Sequence, residues 1–303
     1  MLQTQPSAKK RVKPVRYGDI AFHTVNYTLI SLLTFMCLFP FLNTFANAFS
    51  SDHAIQAGKV LIWPVEPQWD AMRAVLLDQN VLKAMGVTVY TTVFGTLLNM
   101  VATILTAYPL SRRDLKWRGY FMNYMIFTMM FGGGMIPGYL LIKSLGLLNT
   151  YWVLMIPGLV GAFNVIIMKT FFQNMPDELR EAAVVDGCSN IRYLLTVVLP
   201  LSGAVLATIG LFYAVGHWNS YSAALIYNDD PKYWTLQVHL RNVLLLSQMD
   251  TSLETMQEEN ELNVIAESLK AAVIVFATVP ILIVYPFLQK YFVKGALLGS
   301  VKG

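Results

Sequence analysis

At 303 residues, with 55% hydrophobic and only 13% charged side chains and a mean hydropathy of +0.51, the chain is far poorer in charge than an ordinary soluble domain, where about 25% of residues are charged. Its net charge of +4 and its two cysteines, Cys37 and Cys188, provide neither the strongly basic surface of a nucleic-acid binder nor a disulfide framework. His23, His53, His217 and His239 lack metal-ligand spacing, and no Gly-rich loop ends in Gly-Lys-Ser/Thr, so neither a metal centre nor nucleotide hydrolysis by this chain is expected.

Residues 1–19 form a polar, basic tail. Beyond it, six stretches contain no Asp, Glu, Lys or Arg: 20–51, 84–111, 119–142, 144–168, 193–228 and 271–289. A helix needs about 20 apolar residues to cross the ~30 Å hydrocarbon core, and lipid cannot satisfy an open backbone. The six windows therefore predict an all-α integral membrane protein whose six transmembrane helices form one domain over 20–289. The apolar run from Ile20 to beyond Phe41 exceeds the ~7–15 residues of a signal-peptide core, so it reads as the first span.

Positive loops stay cytoplasmic. With the first tail inside, the inner segments hold 15 of the 22 Lys and Arg residues, and the outer segments hold 12 of the 18 acids. Both termini, including the tail 290–303, are thus expected in the cytoplasm. The outer segment 52–83 is broken by Trp63-Pro64 and Glu66-Pro67 and reads as a partly structured loop, with Trp63 and Trp69 suited to the interface. The outer segment 229–270 predicts a short amphipathic helix over 236–246, followed by the acidic residues Glu254, Glu258, Glu259, Glu261 and Glu267.

Within the spans, Gly132-Gly133-Gly134 with Pro137-Gly138, and Pro157-Gly158 with Gly161, permit close packing and local bending. Polar side chains at membrane depth are candidate pathway contacts: Asn99, Thr103, Thr106, Asn123, Asn164, His217, Trp218, Asn219 and Tyr221. Most Asn and Thr residues in membranes bridge helices instead, for about 0.6 kcal/mol each. Trp218-Asn219 is the stronger pair, because it sets an aromatic face beside an amide.

The cytoplasmic loop at about 174–192 has the local signals of a bounded helix. Asn174 can cap its start, Pro176 suits the first turn, Asp177 and Glu178 suit its positive end, and Gly187 suits a left-handed stop. Ser189-Asn190 then begins a second helix.

Glu181-Ala182-Ala183, Gly187 four residues later and Leu199-Pro200 twelve after that resemble the loop of ATP-binding-cassette importer permeases. The resemblance implies the type I permease fold. It also implies a coupling helix in which Glu181, Ala182, Ala183, Asp186 and Gly187 seat in a cleft of a separate ATPase, with Leu199 and Pro200 leading into the next span. Val197 stands where the family usually has Ile, and Ala204 where many sugar permeases have another Pro. Tyr291-Phe292-Val293-Lys294-Gly295 and Gly299-Ser300-Val301-Lys302-Gly303 look like the ATPase-contacting tail of the second permease of maltose-type systems. The stretches beginning Phe131-Gly132-Gly133-Gly134, Leu145-Gly146-Leu147 and Phe163-Asn164-Val165 look like a subgroup handling complex oligosaccharides.

The implied partners are a homologous second permease, an ATPase dimer that uses ATP and Mg, and an extracytoplasmic sugar-binding protein. This chain would carry no cofactor or catalytic residue of its own. Neutral oligosaccharides and uronate-rich fragments, such as alginate- or pectin-derived chains, both stay open. A permease for a non-sugar solute is the rival reading. A membrane-embedded enzyme would need a convergent catalytic set that the sequence does not offer.

Overall fold

The computed structural model describes residues 17–253 and 262–300, and helix is the only regular secondary structure among them. Helix α1 (Tyr17–Ala48) occupies the first window as one continuous rod. Its Phe22, Leu33, Met36 and Phe41 are all more than half exposed, which suits lipid rather than water. The outer segment that follows holds two short helices, α2 (Asp52–Gln56) and α3 (Asp70–Leu77), and is partly structured as its prolines and tryptophans predict. The Asn43 amide, near the end of α1, pins this segment by donating to the carbonyls of Val60 and Leu61 at 3.2 and 2.9 Å.

Helix α4 (Gln79–Ser111) is the spine of the bundle. Near its start Val81 packs with Met72, Val75, Leu236 and Ala272. One turn and a half on, Val87 meets Val153, Leu154, Ala224 and Val238. Near its end Ala107 and Leu110 join Val165, Met168, Phe172 and Ile209. Apolar contact inside a bilayer gains nothing from expelling water, so dispersion and shape hold these helices together.

The third, fourth and fifth windows are broken where a single span was expected in each. In the third, α5 (Arg118–Met130) and α6 (Met135–Ser144) meet at 113° across a four-residue break. Gly134 there has φ +83°, which a residue with a Cβ resists. In the fourth, a 3-10 turn (Tyr151–Leu154) is followed by irregular chain through Pro157-Gly158 to Gly161, before α7 (Ala162–Gln173). Proline lacks the N–H that a helix needs and disfavours helical geometry in the residue before it. At 12 residues, α7 spans only about 18 Å.

Two short helices come next, α8 (Asp177–Val185) and α9 (Asn190–Tyr193). The fifth window then begins with a π-helical stretch (Leu194–Val198) and α10 (Leu199–Leu201), which turns 85° into α11 (Gly203–Trp218). Pro200 accounts for the widened turn, because its ring crowds the carbonyl four residues earlier and leaves it without a donor.

The remaining elements are α12 (Ser222–Tyr227), α13 (Leu236–Leu253) and α14 (Leu262–Ser300). The helix expected over 236–246 thus runs farther than predicted. Among the described residues, three helices are long and apolar enough to cross a membrane, or five if each bent pair is one span. Glu254, Glu258, Glu259 and Glu261 lie outside the described residues, as do Val301, Lys302 and Gly303 of the tail, whereas Gly299 and Ser300 belong to the end of α14.

Gly95 lies where α4 meets α11, and a Cβ built there would sit 2.5 Å from Nε2 of His217. Gly95→Ala would gain up to about 1 kcal/mol of helix propensity. It would also push His217 off its 2.6 Å hydrogen bond to Asn99, and a buried partner left unsatisfied costs about 1–3 kcal/mol. The expected net is a loss of about 1 kcal/mol, read as a lowered thermal midpoint of the purified protein. A raised midpoint would contradict this account of the crossing.

Candidate functional site

Helix α8 is nine residues long, with Asp177 and Glu178 in its first turn, where carboxylates complement the positive end of the helix dipole. Its far end is closed by two hydrogen bonds: Gly187 N–H donates to Val184 O at 3.0 Å, and Cys188 N–H donates to Ala183 O at 2.9 Å. With Gly187 at φ +70°, this is the Schellman stop. Its apolar contact is present as well, since Ala183 and Cys188 both pack on the cluster around Tyr193 and Val198. Ser189 then caps α9, its hydroxyl accepting the Arg192 N–H at 3.3 Å.

At the start, the expectation for Asn174 fails. Asn174 closes α7, its N–H bonding back to Thr170 O and Phe171 O at 3.2 Å, and α8 begins after Pro176 without a side-chain cap. Glu181, Ala182, Asp186 and Gly187 are exposed, whereas Ala183 turns inward. Two residues outside the predicted set complete the outer face: Val184 is 61% exposed and Val185 86% exposed.

Asp114, in the loop after α4, holds α8 in place. It bonds Arg112 at 3.2 Å from its own loop and Arg180 of α8 at 3.2 Å. The Arg112 hydrogen bond draws the Asp114 carboxyl down to about 2. A lowered carboxylate value means that the ionised clamp is complete above the ordinary range near 4 and weakens only as the pH falls through about 2. Exposed pairs contribute little energy, so the clamp sets position more than stability. A cavity of about 650 Å³ opens beside it, bounded by Asp114, Arg180, Glu181 and Val185.

The membrane-depth residues form a second constellation. Asn99 donates its amide to Gly158 O at 2.7 Å and Leu159 O at 2.9 Å, and its Oδ1 meets His217 Nε2 at 2.6 Å. An amide oxygen only accepts, so His217 carries its proton on Nε2. The Tyr213 hydroxyl accepts the Gly161 N–H at 3.0 Å and pairs with Thr103 Oγ1 at 2.7 Å. Thr106 bonds back to Ala102 O at 2.7 Å within α4.

Asn99, Thr103 and His217 are thereby committed to the fold. Asn123 is exposed and Asn164 half-buried, and neither side chain bonds protein among the described residues. Trp218 is buried, and its indole N–H has no partner among the described residues, whereas the Asn219 amide folds back on Val215 O at 3.0 Å. The Arg241 guanidinium lies over the Tyr221 ring, 5.0 Å from its centre. Leu199 packs inward and Pro200 is exposed at the bend. The sequence reading missed Asp114, Arg180 and Tyr213, since their partners lie 52 to 110 residues away.

Residues 16–297 match the family described as binding-protein-dependent transport system inner membrane component. The polygalacturonan/rhamnogalacturonan transport system permease protein YtcP of Bacillus subtilis (strain 168) is 43% identical over 93% of this chain and 98% of its own. Protein LplC of the same organism is 45% identical over 93% of this chain and 95% of its own. In the crystal structure of a bacterial ABC transporter involved in the import of the acidic polysaccharide alginate, one chain is 31% identical, with a TM-score of 0.83, covering 93% of this chain and all of that one.

The stop at Gly187 can be tested without any partner. A Cβ there meets nothing within 4 Å, so the strain of Gly187→Val is confined to the backbone, at about 1–2 kcal/mol. Amide hydrogen exchange at Gly187 and Cys188 should quicken by roughly five- to thirtyfold while α4 stays protected. Unchanged exchange would mean that the left-handed geometry is not required.

Proposed function

The chain belongs to the binding-protein-dependent transport system inner membrane components, and from that premise we propose that it imports acidic, uronate-rich oligosaccharides as one of two unlike permease subunits. It is an ABC transporter permease, a multi-pass protein of the inner membrane, and the ATPase and the binding protein of such a system are separate chains. The substrate reading rests on one observation. The permease matched at 43% identity is named for polygalacturonan, and the structural neighbour imports alginate, so both handle polymers of uronic acids.

We place both termini in the cytoplasm with six crossings, the fourth built from α7 and the irregular chain before it. The bias of 15 among 22 Lys and Arg supports that orientation. ATP and Mg are used by the partner ATPase. Closure of its nucleotide-bound dimer would press on Glu181, Ala182, Val184 and Val185 and move α8 as one body. The clamp at Asp114 and the shared core of α7 with α4 would carry that motion to the spans. The bundle then needs two packings of similar free energy, which the ATPase and the loaded binding protein bias differently. In this scheme the cytoplasmic tail at 299–303 also touches the ATPase, while Trp218, Asn219, Asn164, Asn123 and Tyr221 are the candidate pathway contacts.

In vesicles holding the assembled complex and its binding protein, tri- and tetramers of galacturonate or alginate should be taken up, and neutral oligomers of equal length should not compete. Exclusive uptake of a neutral sugar or a non-sugar would overturn the substrate assignment. Cysteine at Ala182 or Val185 should crosslink to the ATPase, and Gly187→Val should abolish transport without preventing membrane insertion. Normal transport by Gly187→Val, with no crosslink from either site, would reject the docking role.

Trp218→Phe removes the unpartnered N–H together with the pyrrole part of the ring, so uptake and thermal midpoint are read side by side. If that N–H meets sugar, losing about 0.5–1.5 kcal/mol should lower uptake by roughly two- to twelvefold. Unchanged uptake together with a lowered thermal midpoint would assign Trp218 to packing.

A further inference from the structure

We propose that the end of the bundle opposite α8 carries an entry site for acidic oligosaccharides, in which Lys83 and Lys232 meet carboxylates and the rings of Tyr90 and Tyr151 bear the sugar. It rests on the uronate reading above and adds where on this chain the acid groups are recognised.

A cavity of about 1160 Å³ lies there, lined by Lys83, Tyr90, Tyr151, Lys232, Trp234 and His239 among others. Lys83 and Tyr90 are seven residues apart on α4 and so share a face. Tyr151 comes from the 3-10 turn in the broken fourth window, and Lys232 from a second 3-10 turn (Pro231–Tyr233). Four rings run in an unbroken series from α4 to the rim. Phe94 and Tyr90 have centroids 4.7 Å apart, Tyr90 and Tyr151 5.4 Å, and Tyr151 and Tyr233 4.8 Å. The Lys232 ammonium closes the series, 5.4 Å from the centre of the Tyr233 ring.

The charge at this end makes the two lysines distinctive. The outer segments hold 12 of the chain's 18 acids, yet among the described residues no Asp or Glu lines the cavity. Neither Lys83 nor Lys232 forms an ion pair among the described residues. The acids closest in sequence are otherwise engaged. Asp78 caps α4 through the Asn80 N–H at 2.7 Å and faces His239 at 4.0 Å, and Asp230 accepts the backbone N–H of Lys232 at 2.9 Å. The Trp234 N–H is taken by Asn228 O at 2.9 Å, so that residue offers its ring rather than a donor.

Flat aromatic faces pack against the C–H faces of pyranose rings, and ammonium groups are mobile point charges suited to carboxylates at several registers. The size exceeds the ~300–1,000 Å³ of an ordinary small-molecule site, which suits a chain of two or three sugars. The same lysines could meet the phosphate of a lipid headgroup, since both ligands are oxyanions.

The test uses the complete complex in nanodiscs of phosphatidylcholine, with fluorescently labelled trigalacturonate and its carboxyl-reduced, neutral counterpart as probes. The parent complex should bind the acidic trimer at least tenfold more tightly than the neutral one. Lys83→Gln with Lys232→Gln should bring that ratio within twofold, and Tyr151→Leu should weaken both trimers alike. Lys232→Gln alone, on an exposed turn, should reduce the ratio about threefold and serves if the double variant does not assemble, as judged by co-elution of all subunits. A tenfold preference surviving in the lysine variants overturns the site. So does an effect of those variants that appears only when phosphatidylglycerol is added, which assigns the lysines to headgroups. If the parent complex imports the acidic trimer but binds both trimers equally, the entry site fails while the uronate function stands. If it imports no uronate at all, that function fails first.

Discussion

A carbonyl or N–H that leaves helical geometry inside a bilayer finds no water, and each one left bare costs several kcal/mol. The chain from Met155 to Gly161 leaves helical geometry within a charge-free window, so its stability depends on borrowed partners. Asn99 supplies two donors to the carbonyls of Gly158 and Leu159, and the Tyr213 hydroxyl receives the Gly161 N–H. Those partners sit on α4 and α11, which are thereby fixed against each other as well as against the break. Gly95 is bare for the same reason: a side chain there would occupy the place from which His217 orients the Asn99 amide. The short helix α7 starts where this segment ends, and α8 follows α7 through Asn174 and Pro176. The position of α8 is thus inherited from a hydrogen-bond network inside the bundle.

Much of this was legible in the sequence, and what was legible is local. Charge-free windows locate α1, α4 and α14 because a charge at membrane depth is expensive whatever the tertiary context. Gly187, Ser189 and the acidic first turn locate α8 and α9 because capping involves only residues within a turn of each other. The glycine triple predicted freedom to bend but not the 113° it adopts, since the angle is set by what α6 packs against. Asn174 misled because amide side chains suit the end of one helix as well as the start of the next, and only the count of residues in α7 decides. Asn99 was read as a pathway contact because nothing local distinguishes an amide that meets substrate from one that satisfies a carbonyl 59 residues away.

The two ends of the bundle differ in the chemistry they present. Around α8 the surface combines Arg112, Asp114, Arg180 and Glu181 with exposed valines, as expected of a face that meets protein. At the other end tyrosine rings and lysines without an ion-pair partner among the described residues line an open cleft, which fits a polar, anionic ligand better than a flat protein surface. Between them Asn99, Thr103, Tyr213 and His217 satisfy one another and the broken chain, while the Thr92 and Thr96 hydroxyls, the Trp218 N–H and the Asn228 amide have no partner among the described residues. A bundle whose irregular segment is tied to its neighbours by such side-chain bonds can shift as rigid pieces, which a permease alternating between two packings requires.

The attachment of α8 shows how such pieces can be rigid and separable at once. Within itself the helix is closed by two backbone bonds and a left-handed glycine, a stop that tolerates little bending. To the rest of the chain it is joined by the inward faces of Ala183 and Cys188 and by an exposed Arg180–Asp114 pair that water can replace. Leu179, Val184 and Val185 remain uncovered, at 39%, 61% and 86% exposure. Covering those three side chains would remove apolar surface from water at about 25 cal/mol per Å². A partner that covers them gains that energy only while it fits the helix as positioned by Asp114. A closing movement of the partner would therefore drag α8, and with it α7, because letting go would return the valines to water.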